Sequence, residues 1–297
     1  MIEITFLGTS AMVPTKDRNH SGIYLEFNGE GILFDCGEGI QRQFKIAGIA
    51  PTKIRRICIT HWHGDHVLGL PGLLLTLGAC GYTGVLHLYG PSGSKEYLGN
   101  MMSGFAEKIS IDVEVHEIAQ GMIFENDLYM LSCAPLEHSI ECFGFSFIEK
   151  DRRRIIVPFI RKLGIPDGPL LGKLQRGIDV VWEGKNITVD EATRVVHGKK
   201  VVYIGDTLFC NSAVGLSLDA DLLITEATLS DTIEEKAENY KHMTAKQAAM
   251  LANHANAKKL IITHFSQRYK TMEVLEEEAQ TVFANTQCAY DFLKIKI

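Results

Sequence analysis

The 297-residue sequence has no apolar run long enough to cross a membrane. Its most apolar stretch, Leu68–Cys80, contains three glycines and a proline, whereas a transmembrane helix needs about 20 consecutive apolar residues. The first ten residues, MIEITFLGTS, lack the basic-then-apolar pattern of a signal peptide and are typical of a strand running into a glycine turn. We therefore expect neither a membrane protein nor a secreted one.

Cysteine is scarce, and its spacing excludes the usual cysteine motifs. The seven cysteines are odd in number, widely scattered, and none forms a C-x-x-C pair. We therefore expect no disulfide framework and place the protein in a reducing cytoplasm.

The sequence also lacks an excess of positive charge. It has 30 Lys and Arg against 36 Asp and Glu, a net charge of −6, so no global basic field indicates a nucleic-acid partner. A local patch can suffice, and residues 150–177 carry eight basic side chains against two acidic ones. This stretch is either an ordinary surface loop with solvated charges or an inserted arm that protrudes and binds a polyanion. The charge contrast with the rest of the chain favours the arm.

Apolar runs and helical periods predict an α/β protein with a large core, in one domain over residues 1–297. Strands are expected at residues 3–7, 23–27, 31–35, 56–60, 85–89, 111–115, 128–133, 144–148, 200–204, 221–225 and 259–263. Helices are expected at residues 38–47, 69–80, 92–106, 231–239, 244–255 and 271–284. So many strands with interspersed helices indicate sheet layers covered by helices.

The strongest chemical signal is the run HWHGDH, residues 61–66, directly after the strand that ends at Thr60. His61 and His63 alternate on an extended segment, so they can point the same way. Asp65 and His66 follow a glycine that lets the backbone turn toward a second point. One tetrahedral zinc rarely takes four ligands from so short a loop, whereas two neighbouring metals use them naturally.

The same chemistry recurs where later strands end. His138, Asp206 and His264 each follow a predicted strand, and together with the HWHGDH run they complete two ligand sets. Asp206 is the natural bridge, because its two oxygens can reach two metals. The other histidines are expected to be surface or packing residues: His20, His87, His116, His197 and His254.

H-x-H-x-D-H with downstream His, Asp and His resembles the metallo-β-lactamase superfamily. The resemblance implies an αββα sandwich with a dinuclear zinc site at one sheet edge, and it matches Asp35 to the aspartate that supports the metal loop. It assigns His61, His63 and His138 to one zinc. It assigns Asp65, His66 and His264 to the other zinc, with Asp206 bridging the two.

Four further features resemble the ribonuclease Z family of tRNA 3′-end endonucleases. They are PTKDRN at residues 14–19, GPLLGKL at 168–174, EAT at 226–228 and HMT at 242–244. Two positions depart from that family's pattern: Thr225 stands where its H-E-A-T motif has His, and Met243 stands where its H-S-T motif has Ser. The second departure puts any role for a serine hydroxyl in doubt.

The resemblance implies a zinc-dependent endoribonuclease that removes the 3′ trailer of precursor tRNA after the discriminator nucleotide. The tRNA would keep a 3′-hydroxyl, and the trailer would carry a 5′-phosphate. Asp65 is then the general base, and His242, held by Glu226, protonates the leaving oxygen. Residues 150–177, with Gly168 and Pro169, become the tRNA-binding arm; Lys16, Arg18 and the helix N-cap Thr244 become RNA contacts. The chain is short and has a single metal motif, so it resembles the short form of the enzyme. That resemblance implies a homodimer.

Two alternatives remain open at this stage. A phosphodiesterase acting on small esters would use the same fold and metals without needing the arm. A catalytically idle RNA-binding or scaffold protein would need no metal site, and the full set of seven metal-site residues argues against it.

Overall fold

The computed structural model describes all 297 residues and contains eighteen strands and eleven α-helices. The strands are β1 Ile2–Gly8, β2 Gly22–Phe27, β3 Glu30–Phe34, β4 Ile54–Cys58, β5 Val85–Gly90, β6 Asp112–Glu117, β7 Gly121–Glu125, β8 Tyr129–Leu136, β9 Cys142–Glu149, β10 Arg152–Ile155, β11 Val180–Trp182, β12 Lys185–Ile187, β13 Thr193–Val196, β14 Lys200–Ile204, β15 Leu222–Glu226, β16 Leu260–Thr263, β17 Thr286–Cys288 and β18 Lys294–Lys296. The helices are α1 Ile40–Ala47, α2 Gly64–Val67, α3 Leu70–Ala79, α4 Ser94–Ser103, α5 Val157–Lys162, α6 Pro169–Gln175, α7 Val189–Ala192, α8 Asn211–Ser217, α9 Glu234–Tyr240, α10 Ala245–His254 and α11 Glu273–Gln280.

The chain divides into two compact units. The main unit comprises Met1–Phe124, Leu131–Phe147 and Lys200–Ile297, and the inserted unit comprises Glu125–Met130 and Ile148–Lys199. The arm predicted at residues 150–177 falls within the inserted unit, which continues to Lys199 and is therefore longer than that prediction.

Two seven-stranded sheets form the main unit. The first has the order β18-β1-β2-β3-β4-β5-β6, and the second has the order β17-β16-β15-β14-β9-β8-β7. In the first sheet β2 and β3 form a hairpin through Asn28 and Gly29, whose φ angles of 51° and 84° suit a two-residue turn. In the second sheet β14, β15, β16 and β17 run parallel, so their carboxyl ends meet at one edge.

Each sheet buries one face against helices. Leu33, Ile57 and Leu88 of the first sheet join a core cluster with residues of α1, α3 and α4, and Val202 and Ile262 of the second sheet join one with α8, α10 and α11. The other faces carry aromatic side chains that meet between the sheets. The ring centroids of the pair Phe27–Phe147 lie 5.3 Å apart, and those of the pair Phe34–Phe145 lie 6.0 Å apart. The arrangement is the αββα sandwich that the sequence predicted.

The inserted unit has a small core of its own. Strands β10 and β13 pair antiparallel, and β11 and β12 form a hairpin. The side chains of Ile160, Leu174 and Ala192 are buried together between these strands and helices α5, α6 and α7. The unit is thus a folded element and not an irregular loop.

All eleven predicted strands and all six predicted helices have counterparts in the structure, with ends that differ by a few residues. The strands β7, β17 and β18 and the helices α2 and α8 were not predicted, nor were the elements within residues 152–199. None of the helices has the length and apolar character that crossing a bilayer requires.

Candidate metal centre

Five stretches of the main unit converge at one edge of the sandwich. The HWHGDH run follows β4, His138 follows β8, Asp206 follows β14, Glu226 ends β15 and His264 follows β16. Side chains at carboxyl ends of neighbouring strands meet at one sheet edge, which is where α/β proteins place their sites. His63 caps helix α2, so Asp65 and His66 lie on its first turn.

The first group of ligand atoms comes from three histidines and Asp206. His63 Nδ1 lies 3.0 Å from His61 Nε2 and 3.2 Å from His138 Nε2. Asp206 Oδ2 lies 3.6 Å from His61 Nε2 and 4.0 Å from His138 Nε2. Imidazole nitrogens and a carboxylate oxygen around one point form a donor set suited to zinc and its neighbours in the first row.

The second group contains Asp65, His66 and His264. Asp65 Oδ2 lies 3.5 Å from His66 Nε2 and 3.4 Å from His264 Nε2. Asp206 also faces this group, with Oδ2 at 3.5 Å from His66 Nε2 and Oδ1 at 3.2 Å from His264 Nδ1. Asp206 is therefore the one carboxylate shared by both groups, at the position from which the sequence predicts a bridge.

A buried network beneath the centre fixes the orientation of two histidines. Asp35, fully buried and at a φ of 57°, accepts hydrogen bonds from the Thr60 amide at 2.8 Å and the Tyr203 hydroxyl at 2.9 Å. His66 Nδ1 donates to Asp35 Oδ2 at 2.8 Å, and His61 Nδ1 lies 2.9 Å from the Thr60 hydroxyl. Each ring therefore turns its Nε2 into the site, the arrangement by which partners of the other ring nitrogen orient metal-binding histidines.

The residues fit a bound metal by their unsatisfied atoms as well as by their type. His66 Nε2 and Asp206 Oδ1 are buried and have no hydrogen-bond partner, although buried polar atoms are nearly always satisfied. Burial holds the pKa of the His61 imidazole well below its usual range, so that ring is neutral and keeps the lone pair that ligation requires. A cation held by these residues would contact two buried atoms that have no hydrogen bond within the protein.

Beside the metal groups, His242 forms a pair with Glu226. His242 Nδ1 lies 3.0 Å from Glu226 Oε1, and Glu226 is fully buried. The same carboxylate accepts the Thr207 amide at 2.8 Å and the Thr228 hydroxyl at 2.6 Å. Burial opposes a charge on the His242 ring, but Glu226 and Asp206 outweigh it and raise the pKa of His242 to about 9. The His242 ring is therefore protonated, is held in place by Glu226, and can donate a proton.

Asp65 belongs to the second group and is an ionised carboxylate. Burial opposes its ionisation, but His66 and His264 outweigh burial and hold the pKa of the Asp65 carboxyl well below its usual range. Its Oδ2 also accepts a hydrogen bond from the Met12 amide at 2.7 Å, which fixes the carboxylate in place.

The remaining predicted site residues fall into different surroundings. Lys16 is exposed and lies 3.8 Å from Asp17, whereas the Arg18 guanidinium donates to the backbone carbonyls of Tyr269 at 2.9 Å and Ser266 at 3.2 Å. The Arg18 guanidinium therefore ties two segments of the main unit together, while its Nε has no hydrogen-bond partner. Thr244 is the predicted N-cap: its hydroxyl accepts from the Gln247 amide at the start of α10.

Gly168 and Pro169 lie in the inserted unit, where Gly168 is the N-cap of α6 and Pro169 its first residue. The two departures from the ribonuclease Z pattern are buried in the main unit. The Met243 side chain packs in the core of the second sheet, and the Thr225 hydroxyl is buried with no hydrogen-bond partner.

Sequence reasoning missed several contributors to the centre, among them Tyr203, Thr207 and Met12. Tyr203 stands in an apolar strand, and only the pairing of that strand with its neighbours shows that its hydroxyl reaches Asp35. Thr207 and Met12 act through backbone amides, for which side-chain motifs give no signal.

Known proteins resemble this chain over its full length. A sequence model described as the metallo-β-lactamase superfamily matches residues 15–231. Ribonuclease Z from Methanothermobacter thermautotrophicus is 44% identical over 298 residues, covering 100% of this chain and 97% of that protein. Ribonuclease Z from a Picosynechococcus species is 42% identical, covering 100% of this chain and 96% of that protein. The crystal structure of the short form of human tRNase Z superposes with a TM-score of 0.74 at 30% identity, covering 99% of both chains.

Proposed function

The chain belongs to the ribonuclease Z family of the metallo-β-lactamase superfamily, and from this premise we propose that it removes 3′ trailers from tRNA precursors. The protein is a metal-dependent endonuclease. It hydrolyses the phosphodiester after the discriminator nucleotide, leaving a 3′-hydroxyl on the tRNA and a 5′-phosphate on the trailer. The observation that carries the proposal is the convergence of two His/Asp groups on Asp206, next to the buried His242–Glu226 pair. The alternative of a small-molecule phosphodiesterase is not favoured, because relatives that match the full length are ribonucleases Z.

Two zinc ions are the cofactor that the donor set supports. His61, His63 and His138 would hold one ion, Asp65, His66 and His264 the other, and Asp206 would contact both. Zinc bound there would polarise the phosphoryl oxygen and lower the pKa of a bound water toward about 7.

The chain's own groups move the protons. Asp65 is ionised. The Met12 amide holds its carboxylate beside the metal groups, where it would orient the attacking water and act as the general base. His242, whose Nδ1 lies 4.0 Å from Asp206 Oδ2, is protonated and would give its proton to the 3′-oxygen that leaves. Glu226 acts through His242: it fixes the ring by the Nδ1 contact and stabilises its charge.

The inserted unit supplies the tRNA-binding surface of the proposal. Within residues 150–177 of this unit, five basic side chains are exposed and make no ion pair: Arg154, Arg161, Lys162, Lys173 and Arg176. The unit as a whole is nearly balanced, with eleven basic and nine acidic residues, so the positive charge is concentrated on residues 150–177. Contacts of this kind bind phosphates without reading the sequence, which suits recognition of tRNA by shape. Gly168 and Pro169 would place α6, and Lys16 and Arg18 would contact the RNA near the cleavage point. Thr244, whose side chain is buried, would act through the start of α10.

We further propose that the protein works as a homodimer in the cytoplasm. The match over 99% of both chains to a short-form enzyme supports the first statement, which light scattering on the purified protein would test. The second is supported by seven free cysteines, six of them buried, which a reducing compartment preserves.

The test of the function is incubation of the purified protein with a 5′-labelled tRNA precursor that carries a 3′ trailer. We expect a product ending at the discriminator, abolished by a chelator and restored by zinc, and no product from D65A. Hydrolysis of bis(p-nitrophenyl) phosphate with the precursor left intact would overturn the proposal in favour of the small-molecule alternative.

A variant with the five exposed basic residues changed to alanine tests the tRNA surface. We expect its kcat/KM for the precursor to fall and its dependence on salt to weaken by about one unit of log–log slope for each phosphate that the variant no longer neutralises. Hydrolysis of bis(p-nitrophenyl) phosphate should stay at the wild-type rate. Unchanged precursor cleavage would exclude this surface.

A further inference from the structure

A second group of metal-ligand side chains lies outside the centre described above. His87 on β5 and Glu114 and His116 on β6 share one face of the first sheet, because the strands run parallel with His87 opposite Glu114. The intervening residues of β5, Leu86 and Leu88, are buried on the opposite face against the helices. Strand alternation therefore directs the two imidazoles and the carboxylate to the same side. The sequence pattern predicts only surface or packing roles for both histidines.

The separations of the three ligand atoms match those around a single ion. His87 Nδ1 lies 3.1 Å from His116 Nε2 and 3.3 Å from Glu114 Oε2, and the remaining distance, His116 Nε2 to Glu114 Oε2, is 3.7 Å. Ligand atoms on a tetrahedral zinc, at bond lengths of about 2.0–2.1 Å, lie roughly 3.3 Å apart. The catalytic group shows the same spacing, from 3.0 to 4.0 Å.

Neighbouring side chains hold this group in position. The Tyr89 ring stacks on His116 with centroids 4.8 Å apart and an angle of 18° between the planes. The guanidinium of Arg56, the cross-strand neighbour of His87, lies 3.0 Å from Glu30 Oε2 and 3.6 Å from the centroid of the Phe124 ring. Burial and the positive charge of Arg56 lower the pKa of His87. The ligands are partly exposed, with 30%, 58% and 40% of the side chains of His87, Glu114 and His116 accessible, so an ion can enter from solvent.

We propose that His87, Glu114 and His116 form a separate binding site for a late first-row divalent cation, zinc in particular. Two imidazoles and one carboxylate are a borderline donor set that favours such ions over Mg²⁺ and Ca²⁺. Three protein ligands leave the fourth position to water or another exchangeable donor. The ion cross-links edge strand β6 to β5, so it stabilises the edge of the first sheet and takes no part in hydrolysis.

The test counts the zinc held by the zinc-loaded protein. Wild type, H116Q and the control H254A, which removes an exposed histidine on α10, are dialysed against micromolar free zinc, and bound metal is measured by mass spectrometry. We expect one ion fewer in H116Q than in wild type and no loss in H254A. Affinity for that ion should fall at least about 10-fold, since even removing a hydrogen bond that supports a ligand costs about 10–100-fold. Hydrolysis of the precursor should be the same in all three proteins.

Equal zinc content in wild type and H116Q would overturn the proposal and leave the two histidines as a hydrogen-bonded pair. Equal losses in H116Q and H254A would do the same, because they would reflect non-specific binding. If H116Q fails to fold, E114Q gives the same comparison from a more exposed position. The measured quantity is the difference between variants, so its result does not depend on how many ions the catalytic centre holds or on its substrate.

Discussion

Replacing Glu226 by glutamine tests whether this residue acts through His242. Glu226 is fully buried, and its carboxylate accepts hydrogen bonds from Thr207, Thr228 and His242. Glutamine keeps the shape of the side chain and removes the charge opposite the imidazolium. A hydrogen bond to a charged group contributes about 1.5–3 kcal/mol, which corresponds to roughly a 10- to 150-fold loss of rate. We expect E226Q to lose that factor in kcat for precursor cleavage, with KM nearly unchanged.

The decisive measurement is a double-mutant cycle. H242A alone removes the acid and should cost about 10²–10⁴-fold in kcat. If Glu226 serves only to hold and charge His242, adding E226Q to H242A should change kcat by less than about 2-fold, since residues that act as a unit are strongly non-additive. Single-turnover kinetics on the labelled precursor give the rate of the chemical step directly.

Two controls separate this effect from structural damage. Metal content and thermal stability are measured for every variant. E278Q removes another partly buried carboxylate charge, one that accepts from Ser230 and Asp231, and should keep wild-type kcat. Fully additive losses in E226Q/H242A, with metal content intact, would refute the assignment of Glu226 to His242.

The structure supports three further predictions. Y203F removes the hydroxyl that donates to Asp35 at 2.9 Å, so zinc affinity in a chelator competition should fall about 10–100-fold; an unchanged affinity would show that Asp35 needs no such support. Chelation of the metals should abolish cleavage and lower the melting temperature, because the loaded centre stabilises only the folded chain; an unaltered melting temperature would argue against metals at the buried His66 and Asp206. Burial raises the pKa of Asp291 to about 6 from 3.8, so its contribution to stability is full below about pH 4 and is lost as pH rises through 6, a change of about 3 kcal/mol. D291N has no carboxyl to titrate. The difference in the free energy of unfolding, D291N minus wild type, should therefore increase by about 3 kcal/mol between pH 4 and 7. A difference that does not change with pH would refute the prediction.

The sequence predicts most of the sandwich because its strands and helices carry strong apolar periods. Strands such as β14 and β16 are nearly continuous apolar runs, and the helix after Thr244 begins at the N-cap that the sequence predicts. The short edge strands β17 and β18 are three residues each, too short for a period to be read. The inserted unit was underestimated for a related reason, since its apolar residues belong to several short elements that only tertiary pairing identifies.

The metal-ligand residues of the candidate centre could be predicted from their residue types and their positions at strand ends. Histidines and aspartates at strand ends are conspicuous, and the topology brings all seven together with Asp206 between the two groups. The residues that support these ligands, such as Tyr203, have no sequence pattern that indicates this role. Arg18 has a structural role that its position in a loop does not indicate, because its guanidinium donates to two backbone carbonyls.

The way the inserted unit closes on itself has a consequence for the variation of this fold. The Glu149 amide donates to the Lys199 carbonyl at 2.8 Å, and β10 pairs with β13 just beyond, so the two ends of the segment are already joined. These contacts form a stem that closes the loop. The entropic cost of closing the loop therefore grows only with the logarithm of the number of residues in it. Residues 156–192 can therefore vary in length and sequence while the stem stays closed and the metal-centre residues of the main unit stay as they are.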